Sequence, residues 1–336
     1  MKSKLLLLML FVGVNIIYGQ DLRNLFEYNA NVVKNNPAYA GAIEKPTLSL
    51  FGQPWYNYDG SSFPGAPVYR GLTYQQYYDK IKGGISINYS YDHLGLDNQQ
   101  NVNIAYSPTI KLANGIAVKP ALGVGYNYSH LEGNFYNLSN NSYNYASVSP
   151  HYFDINAGAL IFNHNVCLGF SIHNINNPNE SYNPSGNGID NHVPILYSIN
   201  CNYNFMSDDN GNTWAVSPNI YFSNQISYFK QLSVGSTFKY KWFLAGINTN
   251  LNTGYSYTLL PMLGFQNKLF RISYCNYYGF LVPPTNNSYQ FTSPPIRNYI
   301  NDNPQTIITV IHEILLTFNL PFKGNHFTPP VCTQVY

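Results

Sequence analysis

Charge is the scarcest property of this sequence. Only 10% of its 336 residues are Asp, Glu, Lys or Arg, against about 25% in an ordinary soluble domain. Something other than bulk water must therefore face much of the surface. The 17 basic and 15 acidic residues nearly cancel, which argues against a nucleic-acid binder, because neutralising phosphates takes a basic surplus. Long apolar runs are missing too. After residue 20 no stretch approaches the roughly 18 consecutive apolar residues that span a bilayer as a helix, so a helical membrane protein is excluded. The eight His and four Cys include no His-Glu-x-x-His and no Cys-x-x-Cys, and no metal site or cofactor is implied. A nucleophile with an oriented base is equally absent: there is no Gly-x-Ser-x-Gly, and His312 and Glu313, adjacent in sequence, fall on opposite faces of a strand. No catalytic residue and no enzyme activity are expected. What the chain has in excess is aromatic surface, with 32 Tyr, 20 Phe and 3 Trp, far more than a disordered composition carries.

The first residues read as an address. Lys2 and Lys4 give a basic start, Leu5 to Val14 an apolar run, and Ile17-Tyr18-Gly19 a small-residue end before Gln20. Residues 1–19 are expected to be a signal peptide, and its removal leaves 15 basic and 15 acidic residues. No Cys follows the run, so a lipoprotein start is not indicated.

Along the rest of the chain apolar residues recur at every second position in segments of about ten, which is strand spacing. In Gly84 to Tyr91, Ile85, Ile87, Tyr89 and Tyr91 share one face, and Gly84, Ser86, Asn88 and Ser90 the other. Val102, Ile104 and Tyr106 oppose Asn101, Asn103 and Ser107, and Leu122, Val124, Tyr126 and Tyr128 alternate with Gly123, Gly125, Asn127 and Ser129. A soluble sandwich would put Lys, Glu, Asp and Arg on its outward face. Here one face is greasy and the other polar but uncharged, as in a transmembrane barrel whose apolar face meets lipid.

Fourteen strands are expected, at 46–55, 66–76, 81–92, 99–112, 115–130, 150–162, 164–174, 193–205, 213–224, 226–240, 241–251, 254–266, 268–280 and 306–320. The fold class is all-β, a transmembrane antiparallel barrel. The long connections, 131–149, 175–192 and 281–305, all follow odd strands. By the rule of short periplasmic turns and long outer loops they lie outside, and both termini are periplasmic. Lys111 to Gly115 and Asp208 to Gly211 each contain Asn-Gly, the strongest short hairpin signal, at periplasmic positions. Residues 20–45 form a periplasmic or lumenal N-terminal segment, 46–320 the barrel and 321–336 a periplasmic tail.

Upstream of the first strand stands Asn36-Pro37-Ala38-Tyr39-Ala40-Gly41. Asn-Pro starts a turn and Gly ends it, which suggests a structured element at the barrel entrance. The motif resembles the Asn-Pro-Ala-Tyr-Ala-Gly signature of the PorP/SprF family, outer-membrane proteins of the type IX secretion and gliding-motility machinery. Further segments are similar to that family's pattern: Trp55 to Gly60, Gly83 to Ile87 with Asp92-His93-Leu94-Gly95, Phe153 to Leu160, Cys167 to Asn174, and Ile311 to Ile314. The resemblance runs from about residue 22 to 320. It implies an outer-membrane barrel without chemistry, partnered by type IX components and by a large secreted surface protein or adhesin whose export or anchoring it assists. A porin or small-solute channel is the alternative. Contact with outer-membrane lipid is expected, and contact with nucleic acid is not.

Within the outer loop 281–305, Tyr289, Phe291, Ile296, Arg297 and Tyr299 crowd together, and interfaces favour exposed aromatic and Arg groups. They are the candidate partner-binding residues. Cys167 and Cys201 are expected on opposite strand faces, which are not readily bridged by a disulfide. A barrel, unlike a soluble β-sandwich adhesin, should leave cell envelopes only with detergent; release into buffer or high salt alone would contradict the membrane reading.

Overall fold

A computed structural model describes residues 32–43, 45–56, 68–94, 97–112, 115–131, 148–180, 192–209, 212–225, 229–252, 256–281 and 307–320. Their strands form one antiparallel sheet closed on itself. In chain order these are β1 (Thr47–Tyr56), β2 (Val68–Tyr78), β3 (Gly83–Leu94), β4 (Asp97–Pro108, continued by Ile110–Lys111), β5 (Ala117–Leu131), β6 (His151–Phe162) and β7 (Val166–His173). They continue with β8 (Leu196–Tyr203, continued by Phe205–Asp209), β9 (Asn212–Gln225), β10 (Phe229–Tyr240), β11 (Phe243–Asn252), β12 (Ser256–Gln266), β13 (Phe270–Leu281) and β14 (Ile307–Asn319). Each pairs with its neighbours in sequence, and β14 returns to pair with β1. The fourteen strands coincide with those read from the periodicity, with ends shifted by a few residues. The largest shift is at β8, which runs past a break at Asn204 to Asp209 because Phe205 to Asp209 pair with Asn212 to Val216 of β9.

Closure follows from the solvent: in hydrocarbon an unpaired backbone group costs several kcal/mol, so a spanning sheet can have no edge. Thr47 to Gly52 of β1 pair residue by residue with Asn319 to Ile314 of β14. The seam is reinforced on the inside. Ser49 Oγ and Thr317 Oγ1 lie 3.0 Å apart, and Gln53 Nε2 donates to Glu313 Oε2 at 2.5 Å. Glu313 is buried, while His312 points the other way and stacks on Tyr274 with ring centroids 5.8 Å apart. The pair is split across the wall and can do no joint chemistry.

The usual order of inside and outside is inverted. Leu122, Val124, Ile104, Ile199 and Leu263 stand out from the wall, each more than half exposed. Ser86, Asn88, Asn156, Ser198, Asn200 and Asn202 point inward and are buried. Rings gather near the strand ends on the outer face, among them Trp242 against Phe265 at 6.1 Å and Phe265 against Phe270 at 5.9 Å. Such interfacial girdles mark the outer face of a membrane barrel. One end of the barrel carries the short connections β2–β3, β4–β5, β6–β7, β8–β9, β10–β11 and β12–β13, together with the start of β1 and the end of β14. The long connections after β5, β7 and β13 leave from the opposite end.

Replacing Val124 by Arg should therefore destabilise the folded barrel in bilayers by about 2–4 kcal/mol, the depth-dependent cost of a cation on a lipid face. Folding titrations in lipid vesicles give the number, and an unchanged stability would contradict the assignment of that face.

Candidate functional site

Residues 32–43, ahead of β1, lie within the barrel. Val32–Asn35 makes one helical turn (α1) and Pro37–Tyr39 a 3-10 turn, joined at Asn36. The local sequence dictates this shape. The Asn36 side chain accepts from Ala38 N at 2.9 Å, as a cap does. Pro37 fills the first helical position, where no backbone N–H is needed. Ala40 N donates to Pro37 O at 3.1 Å and Ala42 N to Tyr39 O at 2.9 Å, and the chain then reverses through Gly41 at φ +60°. Only a residue without Cβ takes that conformation freely.

This knot sits inside the lumen, rooted in the inner wall from β2 to β8. The Asn36 amide donates to the carbonyls of Ala159 on β6 and Phe170 on β7, at 3.3 and 3.2 Å. Ser171 Oγ donates to Asn35 O at 2.8 Å, and His173 Nε2 donates to the same carbonyl at 2.9 Å. Tyr39 Oη accepts from Asn200 Nδ2 at 2.6 Å and lies 3.2 Å from Cys167 Sγ. Ser107 Oγ donates to Ala38 O at 3.3 Å, and Gly41 N donates to Gln75 Oε1 at 3.2 Å. Higher up, Lys34 bonds the Tyr69 hydroxyl and lies over its ring, 4.5 Å from the centroid. The segment thus descends from the long-loop half of the lumen to the short-turn end, where β1 begins.

Burial matches the bonding. Asn36 is 1% exposed, Tyr39 2%, and Ala38 and Ala40 not at all. Val32, Val33, Ala38, Tyr39 and Ala42 form an apolar cluster with Ala117, Ala121, Leu160, Phe162, Cys167 and Tyr221 of the wall. The wall is flattened to receive them. A Cβ built on Gly84 of β3 would stand 2.0 Å from Ala40 O and 2.5 Å from Gly41 Cα, and one on Gly158 of β6 would stand 2.2 Å from Asn36 Oδ1. Lys119, also buried, donates to Ser107 O at 3.1 Å and Thr109 Oγ1 at 2.9 Å, just beyond this seat.

All six motif residues, Asn36, Pro37, Ala38, Tyr39, Ala40 and Gly41, therefore come together as one lumenal plug. Of their receptors, Gln75, Ser107 and Asn200 read in the sequence as ordinary inward positions of their strands, while Ser171 and His173 lie in the segment Cys167 to Asn174 that resembles the family pattern. Glycines 84 and 158 were visible only as parts of segments resembling a family pattern. Tyr289, Phe291, Ile296, Arg297 and Tyr299 lie outside the described residues. Cys167 and Cys201 are free, one buried and one exposed, on opposite faces as their spacing requires. Among the described residues no three His, Cys, Asp or Glu side chains gather as metal ligands.

A closed antiparallel barrel of fourteen strands, apolar without and polar within, is the architecture of an outer-membrane protein. Among solved structures the chain is similar to the CymD monoaromatic hydrocarbon channel, with a TM-score of 0.52 at 10% identity over 89% of this chain and 95% of that one. It is also similar to the P. putida toluene transporter TodX, with a TM-score of 0.46 at 10% identity over 86% and 93%. Comparison with curated proteins gives no match. The family model "Type IX secretion system membrane protein PorP/SprF" matches residues 17–292. The chain belongs to the PorP/SprF family and resides in the outer membrane.

Gly84→Val should leave the barrel able to fold, because the atoms nearest an added Cβ belong to the plug, but it should dislodge residues 32–42. Limited proteolysis of the reconstituted protein would detect this as cleavage near Tyr39 that the parent resists; equal resistance in both would show that the seat does not depend on this contact.

Proposed function

We propose that this barrel is a non-enzymatic component of the type IX secretion and gliding-motility machinery that assists export of a large secreted protein or holds it at the cell surface. In this reading residues 1–19 are a cleaved signal peptide. Both termini are periplasmic, and the long loops face the cell exterior. Family membership supports the setting. The observation that carries the non-porin reading is the plug, because a lumen occupied by a segment hydrogen-bonded to five strands, β2, β4, β6, β7 and β8, offers a scaffold rather than an open conduit. General porins, by contrast, keep an open lumen with charged constriction residues.

The partner-facing surface in this reading is the loop 281–305, with Tyr289, Phe291, Ile296, Arg297 and Tyr299 as its anchors, since aromatic and Arg side chains dominate protein interfaces. Deleting residues 289–299 should leave a barrel that still inserts, because the strands and not the loops satisfy the backbone in lipid. Surface display of the secreted partner should fall. If loop-deleted barrels keep full display while barrels lacking 321–336 lose it, the binding site belongs on the periplasmic side.

A small-solute channel is the second reading. It is supported by the fold shared with the CymD channel, and it requires residues 32–42 to leave the lumen. Planar bilayers separate the two: the intact protein should show almost no steady conductance, and large open currents from it would favour the channel.

A further inference from the structure

The short-turn rim of the barrel repeats one pairing of side chains. In the β2–β3 turn, Lys80 and Lys82 flank Ile81. In the β4–β5 turn Lys111 precedes Leu112, in β10–β11 Lys241 precedes Trp242, and in β12–β13 Lys268 precedes Leu269. All five lysines are exposed. So are their large apolar neighbours: Ile81 is 43% exposed, Leu112 52%, and Trp242 and Leu269 65% each. Lys45, just ahead of β1 at the same end, is exposed as well, and Asp79 is the one exposed carboxylate among the described residues of these turns.

Two of the apolar partners lie beside lipid-facing rings. Trp242 packs against Phe265, which leads on to Phe270, both on the outer girdle. The Ile81 carbonyl accepts from the hydroxyl of Tyr106, another outward ring, at 2.9 Å. A large apolar side chain seated at the edge of the acyl region with an ammonium beside it matches the two layers of a bilayer surface, hydrocarbon and then phosphate. Lys82 and Lys241 hold left-handed backbone conformations, at φ 48° and 53°. Gly or Asn would adopt those at less cost, so the turn geometry alone does not call for lysine there.

We propose that this rim is a binding collar for anionic phospholipid headgroups of the adjoining leaflet, the lysines meeting phosphates while Ile81, Leu112, Trp242 and Leu269 fix their depth. The collar occupies two arcs, β2–β5 and β10–β13. It is interrupted between them, where the β6–β7 turn reads Asn163-His164-Asn165 and the β8–β9 turn Asp208-Asp209-Asn210-Gly211. An acidic protein docking on the rim would engage one arc and would have no use for an apolar residue beside each lysine on both sides of the barrel. The collar rests on the membrane-spanning barrel alone and is independent of which secreted partner the protein serves.

The test uses the full-length protein in vesicles of phosphatidylcholine with and without phosphatidylglycerol. With Trp55 and Trp214 replaced by Phe, the remaining fluorescence reports Trp242, and brominated acyl chains on one lipid or the other show which lies beside it. Phosphatidylglycerol should quench with about a threefold preference at low salt, in line with the attraction of a lysine cluster to an anionic surface. The preference should collapse at high salt, since exposed charges are screened. A variant carrying Lys80→Gln, Lys82→Gln, Lys111→Gln, Lys241→Gln and Lys268→Gln should show none, and Lys241→Gln alone serves if the full set fails to fold. Equal quenching by both lipids in the parent, or a preference that survives salt and the Gln variants, would overturn the collar. Capture of polyglutamate by a parent that ignores phosphatidylglycerol would do the same and hand the rim to an acidic protein.

Discussion

Everything in this molecule depends on one requirement, that no backbone N–H or C=O be left unpaired in hydrocarbon. It forces the sheet to close, and closure in turn sorts every strand residue into lipid-facing or lumen-facing. With lipid outside, most of the interior is built from Asn, Ser, Thr, Gly and Gln, and apolar side chains such as Leu160 and Phe162 turn inward where the plug covers them. That interior is held together by hydrogen bonds and close backbone approach, with one apolar cluster under the plug. The seam shows this most plainly: β1 and β14 meet through a backbone ladder outside and through Ser49–Thr317 and Gln53–Glu313 contacts inside.

The plug is the second consequence. A short peptide can fill a polar lumen only if its own carbonyls and amides find partners there, and residues 35–41 find them on strands far apart in sequence. Each bond is worth only about 0.5–1.5 kcal/mol net, so no single one fixes the segment. The convergence of several onto a rigid wall, with glycines that let the backbones touch, does.

The barrel was legible in the sequence because lipid exposure makes the alternation regular: Ile104, Leu122, Val124 and Ile199 announce their face by type, and even the number of strands survived. The plug seat was not, because Gln75, Ser107, Ser171 and Asn200 are brought together by register across the sheet, which no local pattern encodes. One trace was visible without its meaning. The scattered segments that resembled the PorP/SprF pattern, Asn36 to Gly41, Gly83 to Ile87, Phe153 to Leu160 and Cys167 to Asn174, are the same segments that touch one another in the lumen. The motif at the N-terminus and the glycines of β3 and β6 are two halves of one contact.

The position of that contact bears on how the molecule comes to be built. The hydrogen bonds described above that seat residues 34–41 on the wall come from β2, β4, β6, β7 and β8. A half-formed sheet of the first eight strands therefore already carries these hydrogen-bonding partners for the peptide that precedes it, and β9 then adds Tyr221 to the apolar side of the seat. The N-terminal segment can be laid down from the open side and the remaining strands curled around it, so that a plugged barrel needs no threading through a finished ring.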